Sequence, residues 1–520
     1  MMASELLQQS LVFMALRLTV PASVSSPNPR PETRPKQLEE WLSSLPLIKL
    51  FESARTVCDE LARLNRSHLE ADERLKLLEI YQPILQQLRG EIAEDYNKAP
   101  LPLPGTSRQA VNLARELLIE EAYGYKLALL EKTSKLMLFG ARKQLVPLIE
   151  QIMRTLSNSL TLSYQSYLPT PAGVWHEMHE LYRYASHQKL VGEEEGGKNE
   201  SLIDSIYKHA VLMALTDPYR LSRAELAEVM HVALQIAPLT ELHLNEVPNA
   251  QQLFVVLPDS DKPPKRALQY GMDWEPRGGE WAVGTTLVVR RLSEAIGQGD
   301  KKPSQQRAND GFHAISPEVL RRLMECWGAP SKRVFRRQAG QVTTVQVCTG
   351  ISRVCKILDG VDLANVSQIS STPDSLQEWD VINQSAGGLK LRGTPMADTA
   401  INVGDVVAVQ YRGVPTFSIG VVRWAQTFED SSVELGVQML APRAEAATLA
   451  PTIGNHHPKS ALLLPEISAL QQPAFVIAQP GNYQLHREFA LTHGGKTTTI
   501  RGSELIEKTV YYELFRFLPA

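Results

Sequence analysis

Cysteine is scarce in this sequence. Four occur in 520 residues, Cys58, Cys326, Cys348 and Cys355; their wide spacing, with no C-x-x-C pair, excludes a disulfide scaffold and the common zinc frames. A reducing, cytoplasmic setting is expected. Long apolar runs are missing too, since nothing approaches the ~18 uninterrupted apolar residues of a membrane-spanning helix. No membrane span is expected. The first apolar stretch, LVFMALRLTV, is interrupted by Arg17 and preceded by Glu5 and two glutamines rather than a basic leader, which makes it a poor signal peptide. It reads as a strand or docking segment within an N-terminal strand and linker region, 1–36, with Met14 as an alternative start. An excess of charge is also lacking: 54 Lys and Arg face 57 Asp and Glu, for a net charge of −3. No global field recruits nucleic acid, so an anionic ligand requires a local basic cluster.

What is present suffices for several cores. At roughly 150 residues per domain, the length sets an expectation of about three domains. After the Pro-rich link SSPNPRPETRP, apolar residues recur at helical spacing, beginning with Leu38, Trp41, Leu42 and Leu45. The clearest stripe holds Leu148, Ile149, Ile152, Met153, Leu156 and Leu160, with Pro147 suited to a first helical turn. Further helices are expected over Trp175–Ser186, Leu202–Leu215 and Arg223–Gln235, and a helical domain over 37–240. From Leu253 the texture changes to short apolar runs such as LFVVL and TTLVVRRL, both read as strands, separated by turns such as EPRGGEW. This region, 241–311, reads as a β-containing connection ending in a polar stretch, Gly297–Gly311. A short helix over Pro317–Cys326 follows. Beyond Arg333, TTVQVC, DVVAVQYR, SIGVVRW and VELGVQML read as Val-rich strands at barrel-like intervals. A last segment, 461–520, reads as a further β subdomain. The expected fold is therefore an α+β multidomain chain, an N-terminal all-α helical domain followed by a small antiparallel β-barrel and additional β segments.

Two polar constellations stand out against this framework. The segment Lys332-Arg333-Val334-Phe335-Arg336-Arg337 gathers four cations in six residues. Arg333 and Arg337 stand in R-x-x-x-R relation, and each planar fork can grip a phosphate or the O6/N7 edge of guanine. Downstream, Asn383-Gln384-Ser385-Ala386-Gly387-Gly388 has the form N-x-S-x-x-G. In an extended chain residues 383 and 385 project from one face, so an amide and a hydroxyl can meet one flat ligand, and Gly388 permits close backbone approach or a positive φ. Taken separately, the first also fits a solvated turn and the second an ordinary polar turn between strands.

Together and in this order, R-x-x-x-R, N-x-S-x-x-G, Gly420–Trp424 (GVVRW) and Leu435–Gln438 (LGVQ) resemble a PilZ domain. The resemblance covers about a quarter of the chain, over 312–460; the helical half carries no motif of a family we recognise. It implies a six-stranded antiparallel barrel that binds cyclic di-GMP through Arg333, Arg337, Asn383, Ser385 and Gly388, with Lys332 and Arg336 as accessory cations. The 46-residue interval from Arg337 to Asn383 exceeds the usual one in such domains, and an insertion near 350–378 is expected to fill it.

Other signals point away from chemistry. His176 and His179 in WHEMHELYRYA share a helical face, but H-x-x-H is one residue short of the zincin frame and lacks a third ligand; core packing accounts for them, and no metal is expected. GEEEGGKN and HGGKTTT each fail the G-x-x-x-x-G-K-[ST] phosphate-loop frame. His456-His457 lies in a polar loop, GNHHPKS. No nucleophile–base signature appears, so the expectation is a non-enzymatic receptor without a cofactor, whose helical domain meets a protein partner or a second copy. Two alternatives compete with it: a PilZ-like scaffold or adaptor that does not bind nucleotide, and nucleic-acid binding by the basic cluster, which lacks aromatic interleaving.

Overall fold

The computed structural model describes residues 16–520 except 26–27, 137–141, 192–201, 245–252, 267–278, 300–314, 329–342, 361–375, 386, 397–398, 455 and 468–471. The acidic stretch 192–200 and most of the polar stretch 297–311 thus lie outside the described residues. Apolar residues at every third or fourth position fold the first half into α1 (Pro35–Ser43), α2 (Leu50–Asn65), α3 (Ala71–Asn97), α4 (Gly105–Leu136), α5 (Val146–Ser166), α6 (Val174–His187), α7 (Leu202–Leu215) and α8 (Arg223–Ile236). The long helix α4 packs against α2, α3 and α5. On α5 the whole expected stripe from Leu148 to Leu160 is buried, and Pro147 occupies the first turn. Each such Leu or Ile contributes roughly 1.5–3 kcal/mol by leaving water. Helix α8 starts with a capping box, in which Ser222 and Glu225 satisfy each other's backbone N–H groups.

Of the two forms expected for the N-terminal segment, strand or docking segment, its described residues show the second. Its described part, Leu16–Val24, forms no strand; it docks through Thr19 N–H on Glu177 Oε1 at 2.7 Å and Val24 N–H on the Arg66 carbonyl at 2.7 Å. His179 is a core residue, as read. It is wholly buried, with Nδ1 2.7 Å from the Tyr207 hydroxyl and Nε2 3.0 Å from the Lys262 carbonyl.

A four-stranded sheet of order β1-β4-β2-β3 follows, from β1 (Glu241–His243), β2 (Leu253–Val256), β3 (Lys265–Arg266) and β4 (Trp281–Gly284). The run TTLVVRRL, expected as a strand, is instead the start of helix α9 (Thr286–Gly299). The reason is spacing: Val288 and Leu292, both fully buried, stand four residues apart, while Leu287 is exposed. Helix α10 (Pro317–Trp327) packs on α8 and α9 and buries Trp327, whose Nε1 donates to the Leu212 carbonyl at 3.0 Å.

Then come two closed six-stranded barrels, antiparallel throughout. The first comprises β5 (Thr343–Thr349), β6 (Gln377–Ser385), β7 (Gly388–Gly393), β8 (Val406–Tyr411), β9 (Ser418–Thr427) and β10 (Val433–Ala441), in the order β10-β7-β6-β5-β8-β9. Helix α11 (Ile351–Gly360) lies between β5 and β6, inside the interval where an insertion is expected. The second barrel contains β11 (Glu445–Pro451), β12 (Lys459–Leu464), β13 (Phe475–Ala478), β14 (Glu488–His493), β15 (Lys496–Lys508) and β16 (Glu513–Pro519), in the order β11-β12-β13-β16-β15-β14. The sequence signals strands here but not their closure, and the expected boundary at 460 falls within β12. HGGK is the β14–β15 hairpin turn, with Gly494 and Gly495 both at positive φ, as a two-residue turn matched to strand twist requires. His456 and His457 are exposed in the β11–β12 loop.

The parts are joined by specific contacts. Leu101 and Ile401 exchange backbone hydrogen bonds of 3.1 and 2.9 Å, and Thr427 N–H reaches the Tyr167 carbonyl at 2.8 Å, tying the helical domain to the first barrel. Between the barrels, Val406, Ala408, Ile419 and Val421 meet Leu462, Leu464, Phe475 and Ile477 in one apolar cluster, together with Ile351 and Val354 of α11.

Candidate functional site

Strand alternation divides the first barrel into an apolar inside and two unlike outer faces. Val345, Val347, Trp379, Val381, Leu389, Leu391, Leu435 and Val437 are buried and fill the inside. The outer face of β5, β8 and β9 is the apolar cluster covered by α11 and the second barrel. The outer face of β6, β7 and β10 is polar.

A β-bulge puts the N-x-S-x-x-G residues on that polar face. Val381 pairs with Leu391 inside the barrel, and the register then shifts by one residue so that Asn383 pairs with Lys390 and Ser385 with Gly388. An extra residue, Ile382, thereby reverses the side-chain parity of β6. Asn383 and Ser385 share one face, as their spacing predicts, and that face is the outer one. Ser385 and Gly388 close the hairpin, with Ser385 Oγ 3.4 Å from the Gly388 carbonyl. Gly388 serves close approach rather than a positive φ, since a Cβ there would lie 2.6 Å from the Val437 carbonyl oxygen.

Register aligns two rows across this face. One runs Asn383, Lys390, Gly436, Trp424; the other runs Ser385, Gly388, Gln438. The two glycines lie between Asn383 and Ser385 at one end of the rows and Trp424 and Gln438 at the other. A Cβ on Gly436 would fall 1.7 Å from Trp424 Nε1, so the indole lies directly over that glycine. Lys390 Nζ stands 5.7 Å from the Trp424 ring centroid and 2.9 Å from Glu434 Oε2. The face therefore offers an amide, a hydroxyl, an aromatic surface and a half-neutralised ammonium, which suits a flat polar ligand with π faces.

Beside this face opens a cleft of about 690 Å³ where α8, α10, β9, β10 and β15 meet. Gln438 and Arg423 line it. Arg423 Nε donates to Gln438 Oε1 at 2.7 Å, and its fork grips Glu507 of β15, with Nη2 to Oε2 at 2.8 Å. Burial opposes the charge on each partner, yet the Arg423 pKa is raised and the Glu507 pKa lowered because each stabilises the other's ionised form.

Arg333, Arg337 and the accessory Lys332 and Arg336 lie outside the described residues. Of the expected site residues the structure thus brings together Asn383, Ser385 and Gly388. Trp424, Lys390 and Gln438 join them on the same face without having been singled out. Trp424 and Gln438 fall in GVVRW and LGVQ and Lys390 in LKLR, runs that reveal strands in the sequence but not which side chains turn outward. Among the described residues, no group of three or more His, Cys, Asp or Glu is placed to hold a metal. Nor is any helix there long and apolar enough to cross a membrane.

Comparison with known proteins agrees with this layout. Residues 36–249 match the family model "Cyclic-di-GMP receptor FimW, N-terminal domain", residues 253–368 and 356–446 match "Cyclic-di-GMP receptor FimW, middle PilZ domain", and residues 445–519 match "FimW C-terminal beta-barrel domain". Domain by domain, the chain resembles the FimW receptor. The helical half, without a recognised family by its own motifs, is therefore matched as well. A curated relative, "Cyclic-di-GMP receptor FimW" of Pseudomonas aeruginosa, is 24% identical over 86% of this chain and 84% of its own length. No solved structure matches the chain.

Proposed function

We propose that this chain is a non-enzymatic cytoplasmic receptor that binds cyclic di-GMP on the outer face of its first barrel. The observation that carries this reading is the bulge-displaced pair Asn383 and Ser385 beside Gly388, facing outward in the domain that matches a PilZ model. On this reading Asn383 and Ser385 meet a guanine, the backbone at Gly388 admits it closely, and Arg333 and Arg337 grip guanine and phosphate. Chain geometry supports the arginines' part. Thr343 sits opposite Val381, two residues before Asn383, and Arg337 precedes Thr343 by six residues, a reach of at most about 22 Å. At the other end, α10 lines the same cleft as Gln438, and five residues, at most about 18 Å, separate Gly328 from Arg333.

The energetics are adequate. A micromolar complex needs about 8 kcal/mol, and each good bidentate guanine contact supplies roughly 1–3 kcal/mol of discrimination. Coupling to the helical domain runs through the direct contacts at Leu101–Ile401 and Tyr167–Thr427, since a ligand shifts an arrangement only by binding its alternatives unequally. The helical domain then offers a face to a protein partner or a second copy; Ile48 and Phe51, both exposed, mark one. Calorimetric titration of the full chain with cyclic di-GMP, with GTP and cyclic di-AMP as controls, tests the reading. Selective binding at micromolar or lower concentration is expected, whereas no binding by heat or by a second probe would leave the barrel a scaffold.

A further inference from the structure

A glutamine side chain carries one acceptor oxygen and an amino group that only donates. Which end it shows a ligand depends on what holds the other end. Gln438 is exposed and stands opposite Gly388 in the second row of the polar face. Its Oε1 accepts a hydrogen bond from Arg423 Nε at 2.7 Å, which turns that oxygen toward the arginine. Because a guanidinium has donors and no acceptor, chemistry alone decides the amide's orientation: the oxygen meets the arginine and the amino group points away from it.

The arginine is itself held. Arg423 is the extra residue of a second bulge, between the Gly436–Trp424 and Val437–Val422 pairs, and both ends of its fork engage Glu507 of the second barrel. Three side chains from β10, β9 and β15 thus form one chain of charge-assisted hydrogen bonds ending on the proposed ligand face.

The consequence is selectivity. Guanine presents two acceptors, O6 and N7, on its outer edge, whereas adenine presents the N7 acceptor beside the N6 amino donor, which an unrestrained Gln reads with both ends of its amide. We infer that Arg423 makes Gln438 a donor-only contact that favours guanine over adenine, with Glu507 of the second barrel as the positioning residue that fixes the arginine. The inference rests on the cyclic dinucleotide reading above and assigns the second barrel a part in ligand selection.

The test titrates cyclic di-GMP and cyclic di-AMP into the full chain as wild type, Gln438→Ala, Glu507→Gln and the double variant, and compares the ratio of the two affinities. In Gln438→Ala the preference for cyclic di-GMP falls about tenfold, Glu507→Gln loses part of it, and the double variant loses no more than Gln438→Ala, as residues acting through one chain require. A contact to phosphate, or a merely structural role, would lower both affinities together. An unchanged ratio in Gln438→Ala, whatever the absolute affinities, overturns the inference while leaving the receptor reading intact. Gln438→Ala alone decides the matter if Glu507→Gln does not fold, because residue 438 is exposed. A wild-type chain that binds neither dinucleotide overturns the receptor reading itself and the inference with it.

Discussion

The two barrels have the same strand number and the same closure, yet they present opposite surfaces. In the first, a bulge at Ile382 turns an amide and a hydroxyl outward, beside Gly388, which lets β7 lie close against β10, and Gly436, over which the Trp424 indole is seated. In the second, the outer residues Leu462, Leu464, Phe475 and Ile477 pack against the neighbouring barrel, and other outer cations are paired, Arg501 with Glu488 and Arg516 with Glu504. The lesson is that closure settles only the inside. What a barrel does depends on which residues parity and bulges send to its outside, and there one barrel carries the proposed ligand face while the other packs against its neighbour.

Four experiments sharpen or break that contrast. The largest effect is expected at the seam between the barrels, where Ile477 is fully buried. Ile477→Ala should cost about 2–5 kcal/mol in denaturant unfolding, and a cost below 1 kcal/mol would mean the second barrel does not depend on this packing. Next, Gly388→Ala brings a methyl carbon within 2.6 Å of the Val437 carbonyl oxygen. Overpacking of this kind costs about 1–3 kcal/mol and should also weaken cyclic di-GMP binding as β7 and β10 move apart. Full affinity would take Gly388 out of the site. Third, Arg337→Ala should weaken binding about ten- to a hundredfold with stability preserved; unchanged affinity would remove the arginine pair from the reading.

The smallest effect concerns pH. Burial raises the Asp405 carboxyl to about 6, against hydrogen bonds from the Asn402 backbone and side chain that favour its ionised form. Because the folded-state value exceeds the unfolded one, this group's contribution is fully present below pH ~4 and is lost as pH rises through about 6. Asp405→Asn should therefore flatten the stability profile between those pH values, by about 1–2 kcal/mol after allowance for partial exposure. An unaltered profile would show the carboxyl to be effectively solvated.

The order of helices and strands was legible because burial imposes a period on the chain. The α5 stripe stands in the sequence as a period of 3.6, and β8 and β9 stand there as short Val-rich apolar runs bounded by turn residues, since both their faces are buried. Where a run was too short to show its period, as in TTLVVRRL, strand and helix could not be told apart until Val288 and Leu292 were seen buried on one face. The candidate site was half legible. Asn383 and Ser385 declare themselves by residue type and spacing, but the face they occupy depends on a one-residue register shift against β7.

By itself, then, the sequence determined the class of each half, the absence of disulfide and zinc frames, and the residues proposed to meet a nucleotide, because these follow from local composition and spacing. Only the tertiary structure decided that the last seventy-odd residues close into a second barrel, that Trp424 lies over Gly436, and that Arg423 joins Gln438 to Glu507 84 residues away in sequence. Those facts depend on strand pairing and domain packing, which bring together residues far apart in the chain and leave no local trace in it.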